Sequence, residues 1–338
     1  MTPQRPRKVR FAFAIVSLAL LVVALVATVS VTKAAAPTPS TPTPNLNRFY
    51  FPKNSVGKGP QAVHPQSTRN NLRHGSGPVI HSSTTYAIFW EPSHLQDGST
   101  TSVSSGYNSL QTQFLSDVGN TSFYNIMTQY YDANTVPGHI QNSSTFGGSY
   151  VDTSAYPAHG SDCNTQGSSN PTNCISDSQM QAEITKAQNA NGWATSPSSI
   201  FILFTSRGED TCSNIVGGCS STVYCGFHYY FGSQSQPYAI LPYNGSGQGC
   251  DAGQATPNNN TDADYEISTV SHELFEAVTD PQPNRNWTGP LGEIGDACGY
   301  KYGTIGLDGG KANESLHGHF YTTQMEWSNA IGNCAQTR

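Results

Sequence analysis

The eight cysteines are the strongest constraint on this chain: Cys163, Cys174, Cys212, Cys219, Cys225, Cys250, Cys298 and Cys334. None precedes residue 163, the number is even, and no CxxC pair is present to suggest a structural zinc site. They follow an N-terminal stretch that reads as an export signal, so disulfides are expected to brace the loops between them. Pairing each cysteine with its neighbour (Cys163–Cys174, Cys212–Cys219, Cys225–Cys250, Cys298–Cys334) is one of about 105 possible connectivities.

The export signal has three parts. Residues 1–10 are basic and residues 11–32 are uncharged. Lys33-Ala34-Ala35-Ala36-Pro37 then supplies the small residues of a signal-peptidase site. The apolar run exceeds an ordinary signal core and is long enough for a helix to cross a hydrocarbon layer about 30 Å thick. Residues 1–36 are therefore expected to be a cleaved signal peptide or an N-terminal membrane anchor, and either places the rest outside the cytoplasm. Residues 37–74 begin with the Pro/Thr-rich tract PTPSTPTPNL, which is stiff and cannot pack a core. This stretch is expected to be a linker and polar, loosely attached arm; a pro-segment is the alternative, although no residue in it demands one. The charged fraction is 11%, well below that of ordinary intracellular enzymes. Five of the 16 basic residues fall before residue 37, leaving 11 against 22 acidic ones. With no basic patch, nucleic acid is excluded as a partner, and membrane contact is expected only through the N-terminal segment.

From residue 75 onward, strand and helix signals alternate. Tyr86–Trp90, Ile200–Phe204 and Tyr238–Leu241 are short apolar runs that predict strands, the second buried on both faces. Tyr107, Leu110, Phe114 and Val118 recur at helical spacing, as do Phe123, Ile126, Met127 and Tyr130, and then Met180, Ile184 and Ala187. No linker divides the remainder. One α+β domain over 75–338 is expected, with a mixed sheet, a helix bearing the functional residues, and disulfide-stapled loops.

The chemistry concentrates in residues 261–281, TDADYEISTVSHELFEAVTDP. Acidic and cap-type residues open a helix here and Pro281 closes it. Ile267, Val270, Leu274 and Val278 form its apolar stripe. On the other face His272, Glu276 and Asp280 stack at i, i+4 and i+8, with Glu273 beside them. Imidazole and carboxylate are ordinary zinc ligands, so His272 and Glu276 are expected to hold Zn2+ or another divalent cation. Glu273 would take a proton from water bound to it, the division of labour in H-E-x-x-H metallopeptidases. Here the motif is H-E-x-x-E, and the extra carboxylate weakens the Lewis acid and shifts preference towards harder ions. Glu293, 17 residues beyond Glu276, is the expected third ligand, with Asp296 supporting it. Asp280, His317 and His319 are rivals. His228 in Cys225-Gly226-Phe227-His228 is expected to be structural. No G-x-S-x-G elbow or P-loop occurs, which removes serine-hydrolase and nucleotide readings.

Ser271–Pro281 followed by Glu293-Ile294-Gly295-Asp296-Ala297-Cys298 resembles the C-terminal signature of secreted EXORDIUM-like (phosphate-induced) proteins. Gly77-Pro78, Thr85–Trp90 and Cys225–His228 fit the same likeness, which spans residues 75–335. The resemblance implies an extracellular protein with a zincin-like outline, strands first and then a metal helix. Two functions are expected: from the H-E-x-x-E residues, a zinc-dependent peptidase acting on peptides or proteins; from the resemblance, a non-catalytic cell-envelope protein whose metal helix is structural or vestigial.

Overall fold

Alternating buried side chains on one strand organise the molecule into layers. The structure, a computed structural model, describes residues 50–53, 68–133, 138–164, 171–251, 253 and 256–338. In chain order its main elements are β1 (Tyr50–Pro52), β2 (Ser83–Trp90), α1 (Tyr107–Asp117), β3 (Ser144–Asp152), β4 (Cys174–Ser176) and α2 (Asp177–Asn191). They continue with β5 (Ser199–Thr205), β6 (Asp210–Ser213), β7 (Gly218–Cys219), β8 (Tyr224–Phe231), β9 (Gln236–Leu241) and α3 (Thr261–Thr279). Four short strands, β10 (Glu314–Leu316), β11 (His319–Tyr321), β12 (Glu326–Ser328) and β13 (Asn333–Ala335), form two C-terminal ribbons.

The main sheet runs β1-β8-β9-β5-β2-β3. Its β9-β5-β2-β3 half is parallel, and β8 and β1 add to it antiparallel. All seven residues of β5 are buried, as its unbroken hydrophobicity predicts. Ile200, Ile202 and Phe204 join the cluster that contains α1 and α3, whereas Phe201 and Leu203 join the one that contains α2. The two-residue period of a strand thus feeds helices on both faces. This is an α+β fold with a mixed six-stranded sheet.

Local signals set the helices. A capping box between Ser176 and Gln179 starts α2, and Gly192 ends it at φ 66°. The Asn260 side chain accepts from Ala263 N–H at 3.2 Å to start α3, with Asp262 and Asp264 in the first turn. The helix expected around residues 123–130 is a 3-10 helix, Tyr124–Gln129. The strands β3 and β8 had no clear apolar signature. β3 is an edge strand containing Gly147 and Gly148, and β8 carries Gly226 and His228 on one side.

The four disulfides are Cys163–Cys174, Cys212–Cys219, Cys225–Cys250 and Cys298–Cys334, the neighbour pairing. Such a set fits an oxidising, extracellular compartment. The signal or anchor expected over residues 1–36 lies outside the described residues, as does most of the 37–74 arm. Among the described residues no helix is long and apolar enough to cross a membrane. Where the arm is described it is docked rather than loose. Phe51 is fully buried in β1, Leu72 sits in the main core, and Arg73 pairs with Thr288. Apolar side chains within a polar tract account for this: burying each is worth about 1.5–3 kcal/mol, enough to tether the backbone around it.

Candidate metal centre

The polar stripe of α3 does not face water. His272, Glu273, Glu276 and, just beyond the helix, Asp280 are all 0% exposed. The helix has its apolar stripe in the core, and β8, the 293–298 turn and β12 close over the other side. These elements add four more titratable groups to the chamber. His228 of β8, Glu293 and Glu326 are fully buried, and the Asp296 side chain is 4% exposed. Six carboxyl groups and two imidazoles therefore share one dry chamber. Among the described residues, the ion pairs these carboxylates make are with the two imidazoles alone. Burying a charge costs several kcal/mol after relaxation, so such a concentration requires protons or a cation to balance it.

Glu276 is the hub. Its Oε1 accepts from the Asp296 backbone N–H at 2.9 Å and lies 3.1 Å from His272 Nε2. Its Oε2 has no hydrogen-bond partner and lies 3.6 Å from His228 Nδ1. Glu273 behaves in parallel: Oε1 accepts from the Phe51 backbone N–H at 3.2 Å, while the unpartnered Oε2 lies 3.4 Å from His228 Nδ1. On the far edge of the His228 ring, Nε2 is 3.3 Å from the Asp280 carbonyl and donates to it. That bond leaves Nδ1 aimed between two carboxylate oxygens, where it carries a proton when no cation is present and would offer a lone pair to one that displaced the proton. Three unsatisfied buried donor atoms thus face one another.

This grouping suits a cation. Ligand atoms placed about 2.0–2.2 Å from one tetrahedral ion stand about 3.3–3.6 Å apart, the spacing seen at His228. The Nε2–H bond to a carbonyl is the outer contact that fixes the tautomer of a metal-binding histidine. His228, Glu273 and Glu276 are one group able to hold a metal ion; His272, Glu276 and Asp296 are a second, sharing Glu276. The second is less free of other partners. The Gln324 side-chain amide lies 3.0 Å from His272 Nδ1 and 3.0 Å from the Gly295 carbonyl. The other ring nitrogen, Nε2, is buried and lies 3.1 Å from Glu276 Oε1.

Electrostatics follow the same lines. Burial works against both imidazolium forms, yet the surrounding carboxylates prevail, lifting His228 to about 9 and His272 to about 10. Burial also pushes Glu276 up, but His272 and His228 outweigh it and hold the carboxyl down at about 2. Glu293, Asp296 and Glu326 are all raised, by burial first, with Glu276 next for Glu293 and Asp296 and only after an opposing His272 for Glu326, so each retains its proton well above the usual carboxylate range.

The structure brings together His272, Glu273, Glu276, Glu293, Asp280 and Asp296, but distributes their contacts differently from the expectation. Asp296, not Glu293, lies beside His272, at 3.9 Å. Glu293 sits across the His228 ring, 3.7 Å from Nε2, and Asp280 is among the acids that keep its proton on. The Asp280 carboxylate accepts from the Arg285 and Asn286 backbone N–H groups at 3.1 and 3.0 Å, so it closes a turn rather than offering a free ligand. His317 and His319 lie elsewhere: the former 3.0 Å from the Gly119 carbonyl, the latter 2.7 Å from Asp117 Oδ2. His228, expected to be structural, is instead the imidazole between Glu273 and Glu276. Its sequence signal was period-two pairing with Gly226. A Cβ at 226 would lie 2.8 Å from Thr269 Cγ2 and 3.0 Å from Glu273 Oε1, so the glycine lets this face of β8 close on α3. Gln324 and Glu326 carried no such signal.

No family model, curated protein or solved structure matches this chain.

Proposed function

We propose that the chain is an exported, metal-dependent hydrolase of peptide bonds, with its cation among His228 Nδ1, Glu273 Oε2 and Glu276 Oε2. The observation that carries this reading is the set of three unpartnered, fully buried donor atoms at ligand spacing. A bound Zn2+ supplies Lewis acidity that polarises a carbonyl and makes water acidic. His272 then holds Glu276 through Nε2 and is the nearest group able to take and return a proton, with Asp296 beyond it. Glu273 becomes a ligand in this assignment. A mixed sheet with an antiparallel strand lying along the metal helix supports a zincin-like reading of the fold and the peptidase class that accompanies it. Kinship with EXORDIUM-like proteins is proposed on residues 271–298 alone.

A second assignment follows the helix spacing. His272, Glu276 and Asp296 hold the cation and Glu273 is the base, favoured by these three forming a donor group of their own. Zinc content and hydrolysis of a quenched fluorescent peptide library separate the two. In the first assignment Glu273→Gln loses zinc, whereas His272→Gln keeps it and loses at least about 100-fold in rate. In the second these outcomes are exchanged for metal: Glu273→Gln retains zinc and His272→Gln loses it. Wild-type protein that takes up no zinc, or hydrolysis untouched by either change, overturns the hydrolase reading.

A further inference from the structure

The strand covering the metal helix belongs to none of the large cores. β1 is three residues long and lies on the outer edge of β8, with Tyr50 opposite Phe227, Phe51 opposite Gly226 and Pro52 opposite Tyr224. Its central residue makes two contacts with the candidate site and a third beside it. The Phe51 backbone N–H donates to Glu273 Oε1 at 3.2 Å. The Phe51 ring stacks on His272 with centroids 4.5 Å apart and planes at 24°. Its other side meets Tyr300, also at 4.5 Å. The slot is completed by Tyr302, Ile305 and the Cys225–Cys250 disulfide, a cluster separate from the two main cores. The main chain is gripped just after this slot. Tyr300 Oη donates to the Pro52 carbonyl at 2.7 Å, and Lys53 N–H donates to the Val223 carbonyl at 3.0 Å.

We infer that the groove along β8 is a peptide-binding site for an extended segment bearing an aromatic side chain, and that residues 50–53 are its resident occupant. This deepens the hydrolase reading by naming the substrate class of the same site. Main-chain pairing with a sheet edge gives affinity without regard to sequence, and a side-chain slot gives selectivity. Gly226 sits at the register position of Phe51, where a side chain would collide with Glu273, so only a bare strand edge lets an added peptide reach that carboxylate. The groove thus couples recognition to the metal helix: the backbone N–H of the bound residue reads Glu273 and its ring covers His272. Three paired residues form a small interface, and a segment of matching sequence competes for it by mass action.

The test uses the full chain, stripped of metal with a chelator so that binding is read without hydrolysis. The probe is a fluorescein-labelled peptide of sequence RFYFPKN, which is residues 48–54, and a control with alanine in place of the Phe51 equivalent. Fluorescence anisotropy is measured on wild-type protein and on Phe51→Gly. The variant is expected to bind the probe at least tenfold tighter than wild type does, and at least tenfold tighter than it binds the alanine control. A folded Phe51→Gly chain that ignores the probe, or binds both peptides equally, overturns the inference. Should that variant fail to fold, Phe51→Leu decides: the resident segment loses its ring stacking on His272 while the probe keeps its own, so probe binding is expected to rise several-fold over wild type, and no change overturns the inference. Binding without hydrolysis in the zinc-loaded protein removes the enzyme reading alone. Zinc uptake without peptide binding removes the groove alone.

Discussion

Gly295→Ala tests how His272 is held without replacing any candidate ligand. Gly295 has φ −78° and ψ −44°, a conformation alanine adopts freely, so no backbone strain accompanies the change. An added Cβ would stand 2.5 Å from His272 Nδ1 and 2.9 Å from Cε1 and Cγ. Ordinary contact is about 3.4–4.0 Å, so the ring must retreat by close to an ångström. It has little room to do so, since Phe51 stacks on one face and Glu276 and Gln324 hold its two nitrogens. Overpacking of this kind costs about 1–3 kcal/mol, which in a domain of this size lowers Tm by about 2–9 °C. Gly299→Ala is the matched control, for its Cβ meets nothing nearer than Asp296 O at 3.6 Å. Urea unfolding of metal-stripped protein measures both. A third variant, Gly295→Ala in a His272→Ala background, is expected to add almost no further loss, because the obstructed ring is gone. If Gly295→Ala matches Gly299→Ala in stability, or its cost persists without the ring, the turn at 293–296 is not packed against His272 and the chamber as described fails.

Zinc at 100 times its dissociation constant is expected to stabilise the stripped protein by about 2.7 kcal/mol and raise Tm by about 5–10 °C; differential scanning calorimetry on wild type and His228→Ala checks that the rise vanishes in the variant. Replacing Cys298 and Cys334 together opens a loop with a sequence separation of 36 residues and is expected to cost about 3–4 kcal/mol in urea unfolding. Burial lifts Glu314, far from the chamber in sequence, to about 8. Its folded pKa exceeds the ordinary 4.5, so its contribution to stability is complete below about pH 4.5 and is lost as pH rises to 8. Glu314→Gln should therefore gain on wild type between pH 5 and 8 by on the order of 1–3 kcal/mol, and a pH-independent difference would contradict this. His317→Ala and His319→Ala are expected to leave zinc content unchanged by elemental analysis.

Periodicity made much of the architecture legible. The runs at 86–90, 200–204 and 238–241 are strands, and the patterns at 107–118, 180–187 and 267–278 are α-helices. The stripe on α3 was readable for the same reason, because i and i+4 spacing is a property of the helix itself. What lay beyond one element was less legible. Whether Glu293 or Asp296 would sit beside His272 depends on how a turn folds back, and three residues of slippage exchanges them. His228 looked ordinary because its period-two pairing with Gly226 does not say which element that face meets; only the sheet order, with β8 between β1 and β9, supplies that. Phe51 was hidden in a polar arm, although Phe49-Tyr50-Phe51 is the apolar exception within it.

The proposed cation would sit among three of the donor atoms left unpartnered in the chamber, His228 Nδ1, Glu273 Oε2 and Glu276 Oε2. Anomalous scattering at the zinc absorption edge, recorded from crystals of the zinc-loaded protein, locates that ion directly. A single peak is expected about 2.0–2.2 Å from His228 Nδ1 and from carboxylate oxygens of Glu273 and Glu276. A peak bonded to His272 and Asp296 with His228 clear of it, or no peak against α3 at all, would contradict it.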